Sequence, residues 1–166
     1  GARRGEVCGL RGADVDWHTN RRSINRSVAS VAGGTIIKDT KTHAARHIAI
    51  DSDTMAALAR QLERAKDCAI ECQFDFDDNS FVFTCTPDGA QPLHPDSITT
   101  SFRRLGDKAG LKGVRLHDLR HLHATQLLAA GVPVRTVSGR LGHANAATTL
   151  NVYAHFLQAS DREAAD

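Results

Sequence analysis

Residues 117–143 read HDLRHLHATQLLAAGVPVRTVSGRLGH, and the punctuation of this stretch decides the fold. His117 to about Ala130 holds no helix breaker and stops at Gly131, a residue that closes helices through a left-handed turn. Pro133 opens the next helix, its fixed φ suiting a first turn, and that helix runs to about Leu141. Gly142 makes a second corner. Beyond it, residues from Ala146 to about Phe156 read as a last helix carrying Tyr153, the single tyrosine, ten residues after His143. His117 and Arg120 are three apart and share a helix face. Two corners fold the chain back, so His143 and Tyr153 can reach that face.

These residues have a bland reading as well. A lone His-x-x-Arg is usually a helix end with polar groups toward water, and Tyr153 has Leu150, Val152 and Phe156 as core-forming neighbours. Taken together they supply a phenol, imidazoles and a guanidinium in one helical region. Phosphate-ester chemistry without a metal needs that inventory: a nucleophile, a proton carrier and cationic donors for phosphate oxygens. A phenol has a pKa near 10, so it needs cationic surroundings to act as a nucleophile.

Working outward, residues 3–10 predict a short helix with Val7 and Leu10 on its apolar face, and Gly12 to Asn20 a loop. Arg22 to Val31 and Thr35 to Lys38 alternate polar and apolar around Gly33-Gly34, a hairpin signal. Arg46 to Ile50 reads as a third strand, which puts Lys41 in or beside the turn before it. Thr54 to about Ala69 predicts a helix capped by Asp53, with Met55, Leu58, Leu62 and Ala65 as its stripe. The acidic run 71–80 reads as exposed, Phe81-Val82-Phe83 as a short buried strand or extended segment, and 86–91 as a turn with Pro87 and Gly89. Ser97 to Gly110 predicts a helix with Ile98, Phe102, Leu105 and Ala109 inward, and Arg103 and Arg104 outward. A small antiparallel sheet with a helical majority gives an α+β domain.

Composition narrows the class. The chain has 166 residues, 41% apolar and 24% charged, enough for one domain with a real core. No apolar run approaches the roughly 20 residues of a membrane span, and no signal-peptide pattern appears. Cys8, Cys68, Cys72 and Cys85 are scattered, without a second pair at zinc-site spacing, and read as reduced cytosolic thiols. Net charge is only +2. Residues 1–50 hold nine Lys/Arg against four Asp/Glu, residues 51–96 three against ten, and residues 97–166 nine against five. That pattern suits first and last thirds that converge on a polyanion, although an ordinary solvated surface also produces it. The chain starts at Gly1 without a methionine and enters a motif at once, so it is expected to be a fragment of a longer protein.

The C-terminal half resembles the catalytic domain of the tyrosine recombinase (phage integrase) family, in order, at HDLRHLHAT (117–125), LLAAGVPVRTVSGRLGH (127–143) and TTLNVYAH (148–155). GARRGEVCGLRGADVD (1–16) resembles the family's opening motif, and KDTKTHAARHIAI (38–50) its β-hairpin segment. The resemblance covers essentially the whole chain, with the acidic middle least specific. It implies the DNA breaking-rejoining fold: a mainly helical α+β catalytic domain over residues 1–166 with a small three-stranded antiparallel sheet, lacking the N-terminal DNA-binding domain that usually precedes it.

The implied mechanism maps by residue. Arg3 and Arg120 would clamp the scissile phosphate. His143 would donate to a non-bridging oxygen, and Tyr153 would attack phosphorus to form a 3′-phosphotyrosyl bond. Lys41 would protonate the departing 5′ oxygen, with Lys38 close by as its rival, and His117 would take the tyrosine proton. Glu6 would orient Arg3, and His121 would play a supporting part. Arg4, Lys38, Arg46, Arg103, Arg104 and Arg115 would contact the DNA backbone. No metal, ATP or other cofactor is implied. The partners implied are double-stranded DNA and a homotetramer on synapsed DNA, with a monomer for the isolated domain. The tail, residues 156–166, would be exchanged between subunits with Phe156 and Leu157 as anchors.

Three departures from the usual pattern stand out: Ala2, Leu122, and Gly139 inside a helix, which costs about 1 kcal/mol relative to alanine. None removes a catalytic group. Other readings fit less well. A helix-turn-helix module would need base-reading side chains where Ala144, Ala146 and Ala147 stand. A type IB topoisomerase shares the phosphotyrosine chemistry but orders its lysine and arginine contacts differently. A metal held by His117, His121 and His143 would lack carboxylate or thiol support.

Overall fold

Helices and short antiparallel strands share the chain, giving the α+β class expected. The computed structural model describes residues 1–39, 45–143 and 145–150. They fall into two units: Arg4–Leu105, and Gly1–Arg3 together with the residues from Gly106 onward.

In the first unit α1 (Arg4–Cys8) leads through a 3-10 turn at Gly12–Asp14 to five strands: β1 (Val15–Asp16), β2 (Arg21–Ile24), β3 (Arg26–Val31), β4 (Gly34–Asp39) and β5 (Arg46–Ala49). β2 lies between β1 and β5, with Arg22 opposite both Val15 and Ile48. Among the described residues β3 pairs only with β4, closing at Val31 and Gly34. Gly33, at φ 85°, supplies the left-handed residue of that turn.

One expectation changes here: Arg22 to Val31 is not one strand but two, β2 and β3, and the expected third strand, β5, pairs with β2. The side-chain alternation hides the break, because Arg22, Ile24 and Val28 are all buried and keep the same parity across it. What changes at Asn25 is the ladder partner. Asp14 pins that point, accepting from the Asn25 amide at 3.0 Å and from Arg26. The expected loop 12–20 likewise contains β1, too short to leave a period.

α2 (Ser52–Glu71) buries Met55, Leu58, Leu62, Ala65 and Ala69. Its cap is Asp51 rather than Asp53: one Asp51 carboxylate oxygen accepts the Thr54 N–H and the other its hydroxyl, both at 2.8 Å. The helix starts at Ser52, two residues before the expected Thr54, and the cap moves with it. Leu10, Val15, Met55, Leu58, Leu62 and Val82 form the core of this unit. Phe81-Val82-Phe83 is an extended segment: the Val82 N–H reaches the Leu10 carbonyl at 2.9 Å, and Phe81 pairs with Arg11 in an isolated bridge. α3 (Pro95–Lys108) half-buries Ile98 and Phe102. Leu105, expected inward, is 65% exposed, and Ala109 is exposed beyond the helix end.

In the second unit α4 (Asp118–Ala129) and α5 (Val134–Leu141) pack through Ala124, Leu128, Val137 and Leu141. Gly131 ends the first at φ 77°, with the Val132 N–H on the Leu127 carbonyl at 3.0 Å. Gly142 ends the second at φ 68°, and the His143 N–H closes back on the Ser138 carbonyl at 3.1 Å. These bonds satisfy the last carbonyls of each helix. Residues 146–150 are helical again, with the Asn145 side chain accepting the Ala147 N–H at 2.9 Å.

Candidate active site

The corner Leu141-Gly142-His143 is where the second unit gathers its cations. Arg120, on the first turns of α4, is only 5% exposed. It donates to the Leu141 carbonyl at 2.5 Å and to the Gly1 carbonyl. Arg3, exposed, donates to the Gly142 carbonyl at 3.0 Å. Two guanidinium groups from distant parts of the sequence therefore sit on adjacent peptides of one helix end. Helix C-termini attract cations, and carbonyl acceptors offset much of the cost of burying one. Two bonds, to the Gly1 and Leu141 carbonyls, hold the Arg120 fork in place.

His143 follows directly. Its ring Nδ1 lies 2.8 Å from the hydroxyl oxygen of Thr149, which is fully buried. His117 stands just before α4, exposed, with its ring edge-on to His121 at 4.8 Å between centroids. Partial desolvation, then the charges of His121, Arg120 and Arg115, hold His117 below the usual histidine value. These effects favour the neutral ring, the form that accepts a proton. Asp118 is set apart from this chemistry: Arg115 grips it at 2.8 Å, and hydrogen bonds from Arg115 lower its pKa to about 2.

The other expected residues lie in the first unit or outside the described ones. Glu6, 4% exposed, is held by Arg46 through two bonds, 2.9 Å and 2.6 Å. Arg46, expected as a DNA-backbone contact, is here the counter-ion of a buried carboxylate. Arg4 pairs with Asp96 and donates to the Thr99 hydroxyl, both at 2.8 Å. Lys38 on β4, and Arg103 and Arg104 on α3, are exposed. Lys41, Tyr153 and the tail 156–166 lie outside the described residues. Cys8, on α1, is buried, and burial pushes its thiol up to about 11, so it packs as a small apolar group rather than reacting.

Sequence reasoning missed Thr149 and the three carbonyl acceptors, those of Gly1, Leu141 and Gly142. The only available signal for Thr149 was a hydroxyl six positions after His143. Backbone carbonyls leave no trace in side-chain identity.

The profile of the phage integrase family matches residues 1–159. The chain is 26% identical to a "tyrosine recombinase XerC-like" protein of Caldanaerobacter subterraneus subsp. tengcongensis, over 95% of this chain and 43% of that one. It is also 26% identical to the ICEBs1 integrase of Bacillus subtilis, over 100% of this chain and 45% of that one. The chain thus spans less than half the length of these relatives. Among solved structures it is similar to the Tn1549 transposon integrase in complex with transposon right end DNA: TM-score 0.75, 23% identity, 99% of this chain and 55% of that one. That likeness is one of fold.

Proposed function

The chain belongs to the phage integrase family, and on that premise we propose that it is the catalytic part of a site-specific DNA recombinase that cuts and rejoins strands through a 3′-phosphotyrosine. One observation supports this reading above the others. Arg3 and Arg120 meet on the adjacent carbonyls of Gly142 and Leu141, directly beside His143.

The chemistry assigned to these groups balances without an external energy source. The Tyr153 oxygen attacks phosphorus, the bond to the 5′ oxygen breaks, and one phosphodiester is exchanged for another. His117, favoured in its neutral form, takes the phenol proton, and Lys41 supplies a proton to the departing 5′ oxygen. Arg3 and Arg120 balance the charge that grows on the non-bridging oxygens, and His143 donates a further hydrogen bond there. A 5′ hydroxyl from a new strand then reverses the sequence and frees the tyrosine. Double-stranded DNA is the substrate of this reading, and a tetramer on paired sites is its working assembly. Lys38, Arg103 and Arg104 are surface cations available for the backbone, and binding through them weakens as salt rises.

A nicked duplex that loses its 5′ fragment on cleavage traps the covalent intermediate. The expected outcome is a protein–DNA adduct that survives denaturation with the native chain and disappears with Tyr153→Phe, while duplex binding persists. An adduct with the Phe variant, or DNA binding without any adduct on a cognate site, overturns the reading.

A further inference from the structure

The contact between His143 and Thr149 has a chemical consequence beyond packing. A neutral imidazole carries its proton on one nitrogen only, and the partner of one nitrogen decides what the other can do. In this chain Nδ1 faces the Thr149 hydroxyl at 2.8 Å. Thr149 is fully buried, so water does not compete for that hydroxyl. A buried hydroxyl must spend its hydrogen on a neighbouring acceptor or lose a bond it had in water.

We infer that Thr149 is a positioning residue, whose hydroxyl donates to Nδ1 of His143 and so keeps the proton of the neutral ring on Nε2. This rests on the proposed strand-transfer reading for its purpose, not for its geometry. With the proton on Nε2, His143 offers a hydrogen bond to a phosphate oxygen whether or not the ring is charged. Without the Thr149 hydroxyl the neutral ring can carry its proton on either nitrogen, and donation from Nε2 is no longer assured. The corner itself supports the division of labour. The Schellman-type closure, His143 N–H on the Ser138 carbonyl, fixes the backbone, and Thr149 fixes the ring. Among the described residues, the guanidinium groups bonded at this corner are Arg3 and Arg120, on the two preceding carbonyls. The titrating rings on α4 and at its start, His117, His121 and His123, are common to every variant compared.

The test uses the full chain labelled with nitrogen-15, in three forms: native, Thr149→Val and Thr149→Ser. Ring-nitrogen resonances of His143 report its tautomer directly, with no DNA present. In the native chain the expected result is a protonated Nε2 and an unprotonated, hydrogen-bond-accepting Nδ1. Thr149→Val, nearly the same shape, loses the signature of that accepted bond, and Thr149→Ser restores it. Trapping of the covalent intermediate is then compared among the three forms. The Val variant is expected to fall about fivefold to tenfold below native, the worth of one hydrogen bond. The Ser variant recovers most of the rate. A native ring protonated on Nδ1, or a Val variant with an unchanged Nδ1 resonance, overturns the inference. If no form of the chain traps DNA, the strand-transfer reading fails, while the resonances still decide the role of Thr149.

Discussion

Arg3 and Arg120 donate to neighbouring carbonyls, those of Gly142 and Leu141, yet one arginine is exposed and the other buried. Their variants should therefore separate chemistry from stability. Arg120→Ala strips charge-assisted bonds from the Leu141 and Gly1 carbonyls and is expected to cost about 3 kcal/mol of stability. Arg3→Ala is expected to cost no more than about 1 kcal/mol. Each loses on the order of 10²–10³ in the rate of adduct formation. Chemical denaturation beside the trapping assay checks both halves. Equal stability losses would show that the exposed arginine has a structural role as large as the buried one.

Gly142 holds the corner that both arginines read. Its φ of 68° lies where a side chain costs about 1–2 kcal/mol. Gly142→Ala should therefore destabilise by about that amount and also slow cleavage, because the acceptors for Arg3 and Arg120 move. Gly142→Asn, which tolerates this backbone region better, should lose less of both. A calorimetric melt and the trapping rate, measured together, test the link. If alanine lowers the melting temperature but leaves the rate intact, the corner does not position the arginines.

That corner was legible because glycine and proline act locally. Gly131, Pro133 and Gly142 mark helix ends through their own backbone preferences, and the three helix boundaries fall where those residues stand. The strand partners were not legible. Arg22, Ile24 and Val28 keep one alternation while the ladder changes beneath them, and pairing is a long-range property that parity does not carry. Asp51 escaped for a related reason. The apolar stripe of α2 begins at Met55, so the polar first turn before it carries no period. At the site, Arg120 and His143 were readable by type and spacing, and Arg3 only through the family resemblance. Their acceptors were not, since a carbonyl belongs to every residue.

The Glu6–Arg46 pair carries a different prediction. A carboxylate 4% exposed with a bidentate partner is costly to strand. Arg46→Ala is expected to lose about 3 kcal/mol, and adding Glu6→Gln should return part of that loss, because the charge left behind is then gone. A double-mutant cycle in urea measures the coupling. The same Arg46→Ala chain should keep the native slope of DNA affinity against salt, since a cation spent on Glu6 releases few counter-ions from DNA. A shallower slope would return Arg46 to the DNA backbone.

His117 sets the last prediction, through its pKa. Desolvation first, and the His121 and Arg120 charges next, hold it below 6.5 in the folded chain. As a proton acceptor it works when neutral, so the acid limb of the trapping rate should lie below pH 6.5. His121→Gln removes one of the lowering charges and should move that limb to higher pH. The sign for stability follows from the same shift. A histidine whose folded pKa is depressed binds fewer protons folded than unfolded, so its contribution is intact above pH 6.5 and declines as pH falls through the range between the two values. His117→Asn should flatten that decline and, at the same time, lower the rate about 10²-fold across all pH, the contribution of one proton acceptor. Paired pH profiles of unfolding and trapping measure both effects. An acid limb above pH 6.5 in the native chain, or one that persists unchanged in His117→Asn, would assign the proton to another group.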